Sequence, residues 1–258
     1  MSVETMTKAR PIRETVSETE WQTRVELAAC YRLMAHDGIS DLTHNHLTAR
    51  VPDESDAFLI KPGDFMFDEV TASSLIKYDF AGAPRQDGGP KLRGGGLVIH
   101  AGLFKVRHDL NAIFHTHTPA NMGVASQKQG LLPINQHAMH FYGRLIYHDF
   151  GGFEFNLDMC APLVRDLGRE KFALLRNHGS LVCGETIGEA FVEHHFLEMA
   201  CRGQVAALAG GSEVVLIDRA VCEFAAKQVV ESASRTSGGK DWVACLRQAE
   251  RLYPSHRD

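Results

Sequence analysis

The sequence predicts one α/β domain in which helices pack on a central sheet of mixed strand direction. Segments with the period of amphipathic helices alternate with short β-type runs along the 258 residues. No internal repeat or long linker divides the chain, and α/β folds reach about 250 residues as one unit. We therefore expect a flexible arm at 1–16 and a single domain at 17–258. A hairpin-like pair of strands near 177–180 argues against a purely parallel sheet.

The first half of the chain predicts one helix followed by three short strands. Residues 17–20 fit a capping box, apolar residues follow at helical spacing, and Asp37-Gly38 ends the helix as a C-cap. Proline and glycine separate the β-type runs that come next. The glycine-rich stretch 84–96 is expected to be a surface loop. The predicted strands are 48–51, 57–61 and 75–78.

The second half predicts two helix–strand units and then a series of helices. The segment Asn177-His178-Gly179 is a turn signal that separates two apolar strands. Thr186 and Glu189 make a second capping box, which opens a long helix ending at Gly210-Gly211. The remaining predicted elements are helices 97–107, 157–168, 219–230 and 241–252, and strands 111–117, 172–176 and 180–182.

Composition and charge exclude several classes of protein. Hydrophobic residues make up 44% of the chain and charged residues 23%, which is typical of a globular protein and not of a disordered one. The net charge of −5 offers no broad basic surface, so neither nucleic-acid nor anionic-membrane binding is expected. No apolar run approaches the roughly 18 residues of a membrane span. The six cysteines form no C-x-x-C pair and predict free thiols in a reducing, cytoplasmic compartment.

The sharpest chemical feature is a pair of histidines, His115 and His117, among the 14 of the chain. Residues i and i+2 of a strand point to the same face, so the two imidazoles would project side by side. Two neutral imidazoles in this arrangement are half of a site for Zn²⁺, Mn²⁺ or Fe²⁺. The alternative is that one ring caps the strand while the other lies in solvent.

A third histidine, His178, follows another apolar strand in a turn whose end can face a neighbouring strand. Gly179 next to it indicates either a positive φ or a close backbone approach. A third imidazole at this point would complete a three-histidine set with coordination positions open to substrate, as in catalytic metal sites. The alternative is an ordinary turn histidine.

Three linked segments carry a resemblance to the class II aldolase/adducin family. They are the stretch D-L-T-H-N-H-L-T-A-R-V-P at 41–52, the stretch from His100 to His117, and the stretch from Arg176 to Phe191. The resemblance covers about 21–210. It implies a divalent metal, commonly zinc with manganese as an alternative, held by His115, His117 and His178. It also implies a three-layer α/β/α sandwich with a mixed, largely antiparallel sheet, assembled as a homotetramer with active sites near subunit boundaries.

The sequence departs from the sugar-phosphate aldolases of this family at several places, including Asn45-His46 for their Gly-Asn and 61–64 for their Thr-Pro-Ser-Gly, and two further departures bear directly on the chemistry. Gly96 stands where those enzymes have an acid/base glutamate, four residues before His100. Arg93-Gly94-Gly95 replaces the serines that help to hold a substrate phosphate. Loss of CO₂ beside a metal-polarised carbonyl needs no base for bond breaking, whereas aldol cleavage would need a replacement base. We therefore expect a metal-dependent lyase that cleaves or decarboxylates a small oxo or hydroxy acid or a sugar-derived substrate.

Two other functions remain open at this stage: a non-catalytic, adducin-like binding or assembly module, and a metal-dependent epimerase. Further candidate site residues each have a structural alternative. Tyr142 is the candidate proton donor, or else a buried tyrosine with one hydrogen bond. Arg50 and Lys61 are candidates for binding a substrate carboxylate, or else solvated charges at strand ends. The other candidates for lining the substrate site, each of which could instead be a packed histidine, are His46, His100 and His140.

Overall fold

The computed structural model describes residues 11–85, 89–153, 156–211, 213–231 and 238–258. Within these ranges the chain forms seven strands and seven helices. The strands are β1 (His46–Arg50), β2 (Ala57–Ile60), β3 (Ile76–Asp79), β4 (Ala112–Thr116), β5 (Leu145–His148), β6 (Phe172–Leu175) and β7 (Gly179–Gly184). The helices are α1 (Glu18–His36), α2 (Gly95–Val106), α3 (Pro119–Ala125), α4 (Cys160–Leu167), α5 (Ile187–Leu208), α6 (Arg219–Glu231) and α7 (Gly239–Leu252).

The strands form one sheet in the order β3-β2-β1-β4-β7-β6-β5. Every neighbouring pair is antiparallel except β5 and β6, which are parallel and are connected through α4. The predicted mixed, largely antiparallel sheet is therefore confirmed. β4 lies at the centre of the sheet, between β1 and β7. The histidine-bearing end of β4 is therefore flanked by both of these strands.

Two helical layers cover the faces of the sheet, which confirms the three-layer α/β/α arrangement. One face packs under α1, α5 and α7, and α3 extends this layer over β6 and β7. The other face packs under α2 and α4. The strand residues alternate accordingly, as Phe114 of β4 belongs to the first core and Ile113 to the second. Strands buried on both sides read as continuous apolar runs, which is how they were recognised in the sequence.

Most predicted elements exist within one to three residues of their expected ends, but α3 and β5 were not predicted. α3 is a seven-residue helix that begins with a proline after the Thr118 cap, and it is too short to show a period. β5 is a half-buried edge strand of four residues. Of the expected arm, residues 1–10 lie outside the described residues, and Ile12–Glu14 form a 3-10 turn. Among the described helices, none combines the length and apolar character that crossing a bilayer requires.

Candidate metal centre and its cavity

His115 lies at the end of β4, on the face of the sheet that α2 covers. It is almost fully buried, and its Nδ1 donates a hydrogen bond to the backbone carbonyl of Ser180 at 2.9 Å. Because Nδ1 carries the proton, Nε2 carries a lone pair. Ser180 belongs to β7, so the same strand pairing that builds the sheet also fixes the orientation of this ring.

His117 lies two residues further along, just beyond the end of β4. Its backbone N–H donates to Asn45 Oδ1 at 2.9 Å, and its ring Nδ1 lies 3.0 Å from Asp41 Oδ2. A carboxylate only accepts hydrogen bonds, so Nδ1–H donates to Asp41 and Nε2 is left as an acceptor. Metal-bound histidines commonly have a carboxylate in this position, which fixes the tautomer and the ring orientation.

His178 arrives from the turn between β6 and β7. Asn177 has a φ of +58°, the left-handed conformation that asparagine tolerates better than most residues. Gly179 has no positive φ. Instead, a Cβ at this residue would collide with the Thr116 carbonyl oxygen and lie 2.9 Å from His117 Cδ2. The sequence left both explanations of Gly179 open, and the close backbone approach is the one found; it allows His178 to reach the other two rings.

The Nε2 atoms of the three histidines converge on one point. His117 Nε2 lies 2.8 Å from His115 Nε2 and 3.1 Å from His178 Nε2. Tetrahedral zinc at ~2.0–2.1 Å from each nitrogen would place its ligands roughly 3.3 Å apart, close to these separations. The lone pairs of His115 and His117 face each other at 2.8 Å, which is repulsive unless a cation lies between them. The donor set therefore fits a divalent metal ion.

Burial keeps two of these rings, His115 and His178, in the neutral state that metal ligation requires. Burial and the neighbouring histidines hold the pKa of His115 well below its usual value. Burial, together with His117 and His148, lowers the pKa of His178 to about 4. Since only a neutral imidazole binds a metal, both rings are ready to ligate at neutral pH without first losing a proton.

A cavity of about 540 Å³ opens directly onto the three histidines. None of the described residues that line it is a lysine or an arginine, and Asp41, its one carboxylate, is bonded to His117. Phe150 and Phe153 form an exposed aromatic lip, and the ring of Phe150 lies 5.8 Å from that of His178. The lining consists of Asp41, His44, His46, Gly94, Gly95, Ile99, His115, His117, Met122, Phe150, Phe153, Asn177 and His178.

Two of the expected substrate-site residues, His46 and His100, lie beside this cavity in one hydrogen-bonded chain. His46 lines the cavity and pairs across the strands with His115. His46 Nδ1 lies 2.7 Å from His100 Nε2, and His100 Nδ1 lies 2.5 Å from Thr48 Oγ1. His100 is fully buried behind His46 and does not line the cavity.

The structure does not bring Arg50 or Lys61 to this cavity. The Arg50 guanidinium donates to four backbone carbonyls, those of Leu110, Ser55, Phe104 and Arg107, at the far end of β1. The Lys61 ammonium donates to the carbonyls of Thr43 and Pro62, so it supports the loop that carries Asp41 and Asn45. Local charge suggested carboxylate binding for both residues, but their donors are used by the backbone.

Tyr142 and His140 also lie away from the three histidines. Tyr142 packs beside Ala138 and Met139 in a small cluster under α5 and α6. His140 lies beside Glu193 of α5 and contacts the ring of Phe196. Both residues belong to the helical layer opposite α2, and neither lines the cavity.

Sequence reasoning missed Asp41, Asn45 and the two phenylalanines of the cavity lip. Asp41 and Asn45 lie within the stretch that carried the family resemblance, so the polar residues of that stretch were the available signal. Phe150 and Phe153 follow an unpredicted strand and lie in a stretch with no helical or strand period, so no local pattern indicated them.

Comparison with known proteins gives a consistent result. Residues 25–205 match the family model described as Class II Aldolase and Adducin N-terminal domain. The chain is 41% identical over 249 residues to a Pseudomonas aeruginosa protein whose name assigns it provisionally to aldolase class 2, with 95% of this chain and 96% of that protein covered. It is 39% identical over 201 residues to α-adducin of Rattus norvegicus, covering 76% of this chain but only 27% of α-adducin.

Among solved structures, the chain is similar to an aldolase II superfamily protein from Pseudomonas syringae. The TM-score is 0.91 at 40% sequence identity, with 96% of this chain and 99% of that chain covered. The similarity therefore includes the whole three-layer arrangement as well as the histidine-bearing end of the sheet.

Proposed function

Because the chain belongs to the class II aldolase and adducin family, we propose that it is a metal-dependent carbon–carbon lyase acting on a small oxo or hydroxy acid or a related sugar-derived compound. The convergence of three Nε2 atoms beside an open cavity carries this proposal. His115, His117 and His178 would hold the metal, zinc or manganese. Two of the rings have their outward nitrogens bonded to Ser180 and Asp41, which is the support that ligands need.

A divalent cation held here supplies a Lewis acid to a substrate carbonyl or enolate oxygen. The chain contributes the rest of the chemistry. Asp41 and the Ser180 carbonyl keep two imidazoles in the ligating tautomer. Ile99, Met122 and the aromatic lip give the cavity an apolar wall, which reduces access of water to the reacting carbon.

The cavity chemistry favours a substrate without a phosphate group. Phosphate sites in proteins are usually built from arginine, lysine or arrays of backbone N–H groups. The described lining offers no lysine or arginine, and its backbone N–H donors are those at the N-terminus of α2, beside Gly94 and Gly95, which can bind one anionic group. A single carboxylate bound next to the metal needs less positive charge than a phosphate dianion does.

Elemental analysis and a substrate panel test the proposal together. Protein purified without chelator is expected to hold about one divalent ion per chain, and His178→Ala is expected to lose it while keeping its circular dichroism spectrum. His108→Ala, an exposed histidine outside the cavity, is the matched control. The metal-loaded protein is then assayed for CO₂ release and aldol cleavage on oxo and hydroxy acids beside phosphorylated sugars. A wild-type protein without metal, or one inactive on every compound, would contradict the proposal.

The similarity to α-adducin favours a second candidate, a non-catalytic binding or assembly module. This alternative predicts that metal removal leaves partner or self-association unchanged and that no compound is turned over. A homotetramer and a cytoplasmic location remain predictions from the family. Sedimentation analysis of the wild-type protein checks the first, and fractionation of the source cells checks the second.

A further inference from the structure

Position 96 has lost the glutamate that sugar-phosphate aldolases use, and the structure reveals what occupies the space beside it. A Cβ added to Gly96 would lie 3.7 Å from Cδ2 of His46 and 3.2 Å from Cδ1 of Ile60. The His46 ring therefore lies within van der Waals contact of a side chain placed at residue 96, and Ile60 lies closer still. Gly96 and His46 are thus neighbouring residues, so a carboxylate at residue 96 would lie close to the His46 ring.

His46 presents one free ring nitrogen to the cavity. Its Nδ1 is bonded to His100, while its Nε2 has no hydrogen-bond partner among the described residues and is not buried from solvent. The ring lies beside that of His115, with centroids 5.2 Å apart, so its free nitrogen borders the space in front of the metal centre. His44 also lines the cavity, but its side chain is exposed and has no hydrogen bond to a described residue.

The chain from His46 through His100 to Thr48 allows two proton arrangements. In the first, the Thr48 hydroxyl donates to His100 Nδ1, His100 Nε2–H donates to His46 Nδ1, and His46 Nε2 presents a proton to the cavity. In the second, His46 Nδ1–H donates to His100 Nε2 and His100 Nδ1–H donates to Thr48, whose hydroxyl donates to the Ile113 carbonyl at 3.3 Å. His46 Nε2 is then an acceptor, and in this arrangement the neutral ring can take a proton and later return it.

We propose that His46 is the catalytic proton-transfer residue of this site, replacing the glutamate absent at Gly96, and that His100 and Thr48 position its ring. This inference rests on the proposed lyase function. In aldol cleavage, neutral His46 takes the substrate hydroxyl proton at Nε2 as the C–C bond breaks, and the resulting imidazolium returns that proton to the enolate carbon, which leaves the ring neutral. In the reverse direction, the Nε2 lone pair removes that proton, the C–H electron pair remains in the enolate, and the charge on His46 is shared with His100 through their hydrogen bond.

Hydrogen–deuterium exchange of hydroxypyruvate tests this role directly. The zinc-loaded protein is incubated with hydroxypyruvate in D₂O, and loss of the methylene signal is followed by proton NMR against the same protein stripped of zinc. Since a general acid/base contributes about 10²–10⁴-fold, His46→Asn is expected to lose at least ~100-fold of the exchange rate. Zinc content is expected to stay at the wild-type level, which separates this variant from a ligand substitution. The control His108→Asn makes the same chemical change at an exposed site and is expected to keep the wild-type rate.

Because Gly96 and His46 are neighbours, a double variant tests whether a carboxylate at residue 96 can replace the imidazole. Gly96→Glu combined with His46→Asn puts a carboxylate into the space from which the imidazole has been removed. It is expected to recover at least ~10-fold of the lost rate, within the range that one acid/base group contributes. His46→Asn within threefold of the zinc-loaded wild type would overturn the assignment while leaving the lyase proposal intact. A zinc-loaded wild type with no exchange above the stripped protein would overturn the lyase proposal and this assignment with it.

Thr48 is expected to act as a positioning residue. Thr48→Val keeps the shape of the side chain but removes the hydroxyl that lies 2.5 Å from His100 Nδ1. We expect roughly a tenfold lower exchange rate at saturating hydroxypyruvate, with little change in its KM. The reason is that the variant leaves the His46 ring less well oriented but removes no contact with the substrate. Thr48→Ser retains the hydroxyl and is expected to recover the rate. Equal losses in Thr48→Val and Thr48→Ser would contradict the positioning role.

Discussion

Asp41→Asn tests whether the hydrogen bond behind His117 supports metal binding. Asp41 Oδ2 accepts from His117 Nδ1–H at 3.0 Å, and the amide oxygen of asparagine can accept the same bond without its negative charge. Loss of such a supporting group typically costs 10–100-fold in metal affinity. The Asp41 side chain is 43% exposed and therefore partly screened, so we expect the lower end, about tenfold, which corresponds to about 1.4 kcal/mol.

The assay is competition for zinc with a chromogenic chelator of known affinity at neutral pH. Asp37→Asn is the matched control, because Asp37 is an exposed aspartate at the C-terminal end of α1 and does not line the cavity. The circular dichroism spectrum of Asp41→Asn is expected to match the wild type. A zinc affinity within twofold of the wild type would refute the argument that this carboxylate supports the ligand, and a loss equal to that of His117→Ala would indicate displacement of the whole loop.

Three further predictions concern the scaffold of the site. Gly179→Ala is expected to lower the free energy of unfolding by about 1–3 kcal/mol and to weaken zinc binding, because its Cβ collides with the backbone of Thr116; urea denaturation and the chelator competition measure the two effects. Arg50→Met is expected to lower the free energy of unfolding by about 2–4 kcal/mol, with zinc affinity unchanged, because its charged hydrogen bonds hold carbonyls far from the cavity. Burial lowers the pKa of Lys61 from 10.5 to about 8, so the folded state binds this proton less tightly than the unfolded chain does. The stability this residue contributes is therefore present above pH ~10.5 and lost as pH falls to ~8, by at most about 3 kcal/mol, and Lys61→Met removes that dependence in denaturation series across the window.

The convergence of His115, His117 and His178 could be predicted because its geometry is mostly local. His115 and His117 share a face through the two-residue period of a strand, and His178 belongs to a turn whose asparagine and glycine mark it in the sequence. The only non-local requirement was that β4 and β7 be neighbours, which the family resemblance supplied. Antiparallel pairing of Thr116 with Ser180 then brings the turn to the end of β4.

The expected substrate-site residues that do not line the cavity have partners distant in sequence. Arg50 and Lys61 are charges at strand ends, and nothing local distinguishes a cation that binds substrate from one that binds backbone carbonyls. The partners of Arg50 are 5 to 60 residues away, and one partner of Lys61 is 18 residues away. Tyr142 was assigned by analogy with another tyrosine, yet it lies in the layer on the opposite face of the sheet.

The protonation chemistry of the three histidines favours a cation-binding role for these rings. Their Nε2 atoms converge at 2.8–3.1 Å, and two of the outward nitrogens are already bonded to acceptors. Protonation would relieve the lone-pair repulsion, but burial lowers the pKa of His115 and His178 and so opposes it at neutral pH. The fold therefore retains an arrangement that costs free energy until a cation binds. An assembly surface gains nothing from that cost, whereas the lyase proposed above would require it in order to hold a Lewis acid with an open coordination position.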